Sequence, residues 1–126
     1  MKYSVILKIV LWILFAAWYG FILYLSSIPN LRMVADTKTD ETLRVPAHLV
    51  EYFVLAVLFI MAAAVSFGKK PPLYIFFVLL ALSLADELWQ STIPTRTFQL
   101  KDLMWDNVGN AIALAIALKL PITKNQ

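Results

Sequence analysis

Four long apolar stretches, Ile9 to Leu25, Ala47 to Phe67, Leu73 to Leu88 and Leu103 to Leu120, leave this chain little choice of solvent. Each comes close to the ~20 residues that an α-helix needs to cross ~30 Å of hydrocarbon, the last three by including polar residues at one end. The runs are continuously apolar rather than alternating, which favours helices over barrel strands. In lipid every backbone polar group must also be satisfied within the structure. Composition points the same way: 61% of the 126 residues are hydrophobic and 15% charged, where a soluble domain carries about 25% charged residues.

These features predict one all-α domain spanning residues 1–126, an integral membrane bundle of four transmembrane helices. The expected helices cover approximately 8–27, 47–67, 72–90 and 103–120, with outer loops over 28–46 and 91–102. Breakers fall where such a bundle needs them, in "SSIPN", "GKKPP", "IPTR" and "LPITKNQ". No internal repeat, low-complexity tract or second domain is expected. The linker 28–46 has room for a short surface helix. The first apolar run is longer than a signal-peptide core and lacks a small-x-small cleavage site, so it is expected to remain as an anchor. The chain has no cysteine, which excludes disulfides and thiolate metal sites.

Four crossings put both termini on one side. Lys2, Lys8, Lys69, Lys70, Lys119 and Lys124 would share that side, and Arg32, Lys38, Arg44, Arg96 and Lys101 the other. Every acidic residue falls on the second side. The expected topology is multi-pass in a cytoplasmic (inner) membrane, with both termini cytoplasmic and both polar loops outside. The mild positive charge is spent at membrane edges and gives no indication of nucleic acid as a partner.

The polar residues inside the apolar stretches carry the functional signal. On the second helix, His48, Glu51 and Tyr52 stand at i, i+3, i+4 and share a face. On the third, Ser83, Asp86, Glu87 and Gln90 form another polar stripe. On the fourth, Asp102, Asp106 and Asn110 recur every four residues, with Asn107 beside them. Charges within spanning segments are costly and turn toward a bundle interior. Three such stripes therefore converge at one shallow depth. Taken singly, each residue has a plainer explanation: interfacial solvation for Asp86 or Asp102, a headgroup anchor for Arg96, a helix-start hydrogen bond for His48. Trp12, Trp18, Tyr19, Tyr24, Trp89 and Trp105 read as packing and interface-belt residues. Gly109, Ala113 and Ala117 form a small-residue stripe for close helix packing.

The elements "LSSIP" (Leu25 to Pro29), "RVPAHLVEYFVL" (Arg44 to Leu55), "DELWQSTIPTR" (Asp86 to Arg96) and "DLMWDNVGN" (Asp102 to Asn110) resemble, in order and spacing, those of the VanZ-like membrane protein family. The chain departs from the pattern at Val45, where lysine is common, leaving Arg44 as the nearby cation. The resemblance implies a four-helix protein of the bacterial envelope and a link to glycopeptide resistance, mainly to teicoplanin.

The leading functional reading is a binding protein whose outward polar cleft takes a membrane lipid headgroup or a lipid-linked envelope precursor. Arg44 and Arg96 would hold a phosphate or carboxylate bidentately. Gln90 and Asn107 would read hydroxyls or amides, and Glu51, Glu87 and Asp106 would orient the arginines. His48, Tyr52, Asp86 and Asp102 complete the expected ligand-binding set. This reading needs no cofactor. The alternative is a hydrolase or transferase acting on a lipid-linked phosphate, in which His48, Glu51, Glu87 and Asp106 serve as catalytic groups or hold a divalent metal. A third reading makes the cluster a salt-bridge network that fixes helix register. Homo-oligomerisation is left open.

Overall fold

The computed structural model describes residues 3–32, 34–68 and 73–120. Lys2, Lys69, Lys70 and Lys124, which the topology reading uses, lie outside them. The described chain forms four helices: α1 (Val5–Ser26), α2 (Thr37–Phe67), α3 (Tyr74–Ser91) and α4 (Leu100–Lys119). By length and composition α1, α2 and α3 are able to cross a membrane. The fourth expected span is not among them, because α4 carries Lys101, Asp102, Asp106 and Lys119 within 20 residues.

The ends of the helices follow local chemistry. Ser4 caps α1 by accepting from the Leu7 amide. Gly68 ends α2 in the left-handed region, at φ 65°, where its lack of a Cβ removes the steric cost. The largest departure from the expected boundaries is at the start of α2, which begins at Thr37 rather than near residue 47 and runs through Pro46. Asp36 makes this start by accepting from the Thr39 amide at 2.9 Å and the Thr39 hydroxyl at 2.6 Å. Much of the region expected as an outer loop is therefore helix.

α2 and α4 form the most extensive helix pair, α1 lies against α2, and α3 lies against α4. Ile22, Tyr52, Leu55, Ile60, Ile75, Leu79 and Leu114 fill the centre. Ala113 and Ala117 are buried, as the small-residue stripe requires. Gly109 sets the closest approach: a Cβ there would run into the Leu49 carbonyl oxygen and lie 3.0 Å from the Phe53 amide nitrogen. The outer surface is strongly apolar, with Ile6, Ile9, Ile13 and Phe21 of α1 exposed. Three aromatic residues of α1 turn their polar atoms inward, Trp12 to the Ser66 hydroxyl, Trp18 to the Glu51 carbonyl and Tyr19 to the Leu82 carbonyl.

A short internal repeat, not expected from the sequence reading, ends α1 and α3. Ser26-Ser27-Ile28-Pro29-Asn30 and Ser91-Thr92-Ile93-Pro94-Thr95 have the same pattern, and each proline is followed by a residue with positive φ, 53° at Asn30 and 71° at Thr95. The two turns touch, with the Asn30 amide donating to the Thr95 hydroxyl at 3.0 Å. The second turn closes with the Arg96 amide on the Ile93 carbonyl.

Candidate functional site

The polar stripes meet at the end of the bundle where α1 and α3 stop and α2 and α4 begin. Asp86, Glu87, Gln90, Asp102, Asp106 and Asn110 are at most 3% exposed. In an apolar bundle such groups are costly unless partnered. Their partners divide the cluster into three parts.

The first joins α2 to α4. His48 Nδ1 lies 2.7 Å from Asp106 Oδ1, so the imidazole donates to that carboxylate. Its other nitrogen, Nε2, stands 3.6 Å from Asp102 Oδ2, and the Arg44 guanidinium reaches the same oxygen at 3.7 Å. The i, i+4 pairs Arg44/His48 and Asp102/Asp106 are what bring these groups level. The second part ties α1, α2 and α3 together, with the Ser26 and Tyr52 hydroxyls donating to opposite oxygens of Asp86. The third joins α3 to α4. The Gln99 amide donates to Glu87 Oε2 at 3.3 Å, placing a carboxylate at the N-terminus of α4, where the helix dipole favours negative charge. Asn107 donates to the Ser83 hydroxyl at 3.0 Å, and Asn110 donates to Asn107.

Several acceptors in this cluster have no hydrogen-bond partner: Glu87 Oε1, Gln90 Oε1, Asp102 Oδ2, Asp106 Oδ2 and Asn110 Oδ1. Above them lies a polar recess. Its inner part is lined by Ser26, Asp40, Arg44, His48, Glu51, Gln90 and Arg96. Its outer part, about 180 Å³, adds Asn30, Thr95, Thr97 and Gln99.

All eleven candidate residues thus sit at one end of the molecule, although they do not form a single contact network. Arg96 departs from expectation: its guanidinium does not pair with Glu87 but donates to the Ile28 carbonyl at 3.1 Å and, more weakly, to that of Leu25 at 3.5 Å. The reason is geometric, since the Ile93–Arg96 turn aims the side chain at the C-terminal end of α1 while Glu87 faces the start of α4. Burial, then the neighbouring Arg44 charge, lowers the Arg96 guanidinium below its ordinary pKa. Two cations therefore face one recess. Sequence reasoning missed Ser26, whose partner Asp86 is 60 residues away, and Gln99, which contributes only its backbone amide.

No curated protein and no solved structure matches the chain. The VanZ/LLP1 family model matches residues 5–121, which takes in all four helices and every residue of the recess. The chain belongs to the VanZ/LLP1 family.

Proposed function

We propose that the recess is an outward-facing anion site for the headgroup of a membrane lipid or of a lipid-linked envelope precursor. The observation that carries this reading is the pair of arginines on one cavity. Arg44 and Arg96 both line it, and Arg96 forms no ion pair among the described residues. Two like charges on one cavity favour an anion between them, a role that Asp40 and Glu51 in the same lining would share with a bound ligand. The arginine fork suits a phosphate or carboxylate, and the Gln90 side-chain oxygen Oε1, which accepts no hydrogen bond, suits a hydroxyl of the same headgroup.

The same reading makes α4 the fourth membrane crossing. Its charged residues Asp102 and Asp106 turn inward, while Met104, Val108, Ile112 and Ile116, spaced every four residues, form an exposed apolar face suited to lipid. Both termini then lie in the cytoplasm of a bacterial inner membrane, and the recess opens outside. A contribution to glycopeptide resistance would follow if the bound headgroup belongs to the precursor that such antibiotics recognise.

Purified protein in nanodiscs, titrated with a short-chain phosphatidylglycerol and with a polyprenyl phosphate, tests the site and separates the two sources. A charge-assisted hydrogen bond contributes about 1.5–3 kcal/mol, so Arg44→Gln should weaken binding of the true ligand about 10-fold or more. Binding of neither probe, or equal binding by wild type and Arg44→Gln, would refute the reading.

A further inference from the structure

Below the arginines, the arrangement around His48 has the form of an incomplete coordination sphere. One atom each from His48, Glu87 and Asp102 lies within 4.8 Å of the other two. At 3.6 Å, His48 Nε2 and Asp102 Oδ2 are too far apart for a good hydrogen bond. That distance instead suits two ligands of a common ion, because tetrahedral bonds of ~2.1 Å put neighbouring ligands about 3.4 Å apart.

Two further observations point to a ligand. The first is the orientation of the imidazole: Nδ1 lies 2.7 Å from Asp106 and Nε2 faces Asp102, so a neutral ring that donates through Nδ1 turns its Nε2 lone pair toward Asp102. Metal-binding histidines are commonly held this way, by a carboxylate on the far nitrogen that fixes the tautomer and raises ligand basicity. The second is a pair of buried oxygens that accept no hydrogen bond, Glu87 Oε1 and Asp102 Oδ2, on residues 0% and 3% exposed. Arg44, 3.7 Å from Asp102 and partly exposed, only incompletely balances that charge.

We propose that His48, Glu87 and Asp102 form a binding site for one divalent cation, with Asp106 as the residue that positions His48. One imidazole and two carboxylates favour a borderline transition ion such as Zn²⁺ over Mg²⁺ or Ca²⁺, which take mainly oxygen. Three protein ligands leave a coordination position open. His48 also lines the inner recess, so that position is within reach of a small anionic oxygen ligand. The site does not depend on the headgroup reading, because none of its three ligands is an arginine.

The test uses the full chain, purified in detergent, stripped with EDTA and titrated with Zn²⁺, Mn²⁺ and Mg²⁺ by calorimetry, with thermal melts in parallel. The expected result is one Zn²⁺ per chain, a higher melting temperature with Zn²⁺, and weaker binding of Mg²⁺. Glu87→Gln and Asp102→Asn should each lower Zn²⁺ affinity at least about 100-fold, and Asp106→Asn about 10- to 100-fold, as loss of a ligand-orienting partner does. Lys119→Ala should bind as wild type. In EDTA the Glu87→Gln and Asp102→Asn proteins should still melt cooperatively, so that their loss of Zn²⁺ affinity is read on folded protein. No stoichiometric Zn²⁺ binding by wild type, or wild-type affinity in all three carboxylate variants, overturns the proposal. Should a ligand variant fail to fold, the graded loss in Asp106→Asn decides the matter, with full retention there counting against the site.

Discussion

Thr95 shows how much conformational strain the outer turn accepts to aim one guanidinium. A β-branched residue at φ 71° is a backbone outlier costing of order 1–3 kcal/mol, and it persists because Pro94 precedes it and its hydroxyl accepts from Asn30. Thr95→Val keeps the strain and removes the bond, so it should destabilise by about 1 kcal/mol. Thr95→Gly removes both and should fall within about 1 kcal/mol of wild type in thermal melts. Downstream of this turn, Arg96→Lys retains charge but loses the planar guanidinium, whose Nη1 donates to the Ile28 carbonyl and, more weakly, to that of Leu25. Headgroup binding should drop about 10-fold in Arg96→Lys. An unchanged affinity would make Arg96 a simple surface anchor. The burial of Asp86, Glu87, Asp102 and Asp106 was legible in the sequence because a carboxylate in an apolar run is costly unless it faces inward. Their partners were not legible, since Ser26 with Asp86 and Asn30 with Thr95 are joined only by the packing of separate helices.

At the scale of elements, the sequence reading placed α1, α3 and α4 close to their ends and misjudged the start of α2. Hydropathy marks where a helix enters lipid rather than where it begins. Seven of the nine residues Thr37–Val45 are polar, Leu43 and Val45 being the exceptions, and Pro46 reads as a boundary. The contrary signal was present in Asp36, three residues before Thr39, with Asp40 and Glu41 following in the early helix. Hydrogen bonds from the Thr39 hydroxyl, then from its amide, hold the Asp36 carboxyl below its ordinary pKa. A depressed folded-state value means that this contribution is present above the unfolded pKa and is lost as pH falls through the folded one. Amide exchange over Lys38–Arg44 should therefore accelerate in Asp36→Ala at neutral pH, and in wild type only under strongly acidic conditions. Exchange rates indistinguishable between the two proteins at neutral pH would remove the cap from this account. In the α2–α4 pair, Gly109→Ala adds a methyl that meets the Leu49 carbonyl. Overpacking of this kind costs about 1–3 kcal/mol, partly offset by a helix-propensity gain of about 1 kcal/mol. The melting temperature should fall, and the His48–Asp106 contact with it.

For the molecule as a whole, topology is the property that the charge pattern addresses most directly. The chain has no cysteine, so single introduced thiols report without background. Cysteines at the exposed positions Thr39 and Thr97 should react with an impermeant reagent in intact cells, whereas one at Lys119 should not. The opposite pattern would invert the orientation, and labelling at all three would remove α4 from the membrane. Bilayer thickness brings out another consequence of the Gly109 contact. Where side chains separate two helices, rotamer changes let the axes slide, but here α4 rests on the backbone of α2, which offers no such slack. With α4 as the proposed fourth crossing, α2 and α4 should tilt together as one rigid strut when the hydrocarbon thins or thickens, while α1, with most of its surface turned outward, takes up the mismatch. On the headgroup reading, ligand affinity should then stay nearly constant between nanodiscs of short-chain and long-chain lipid.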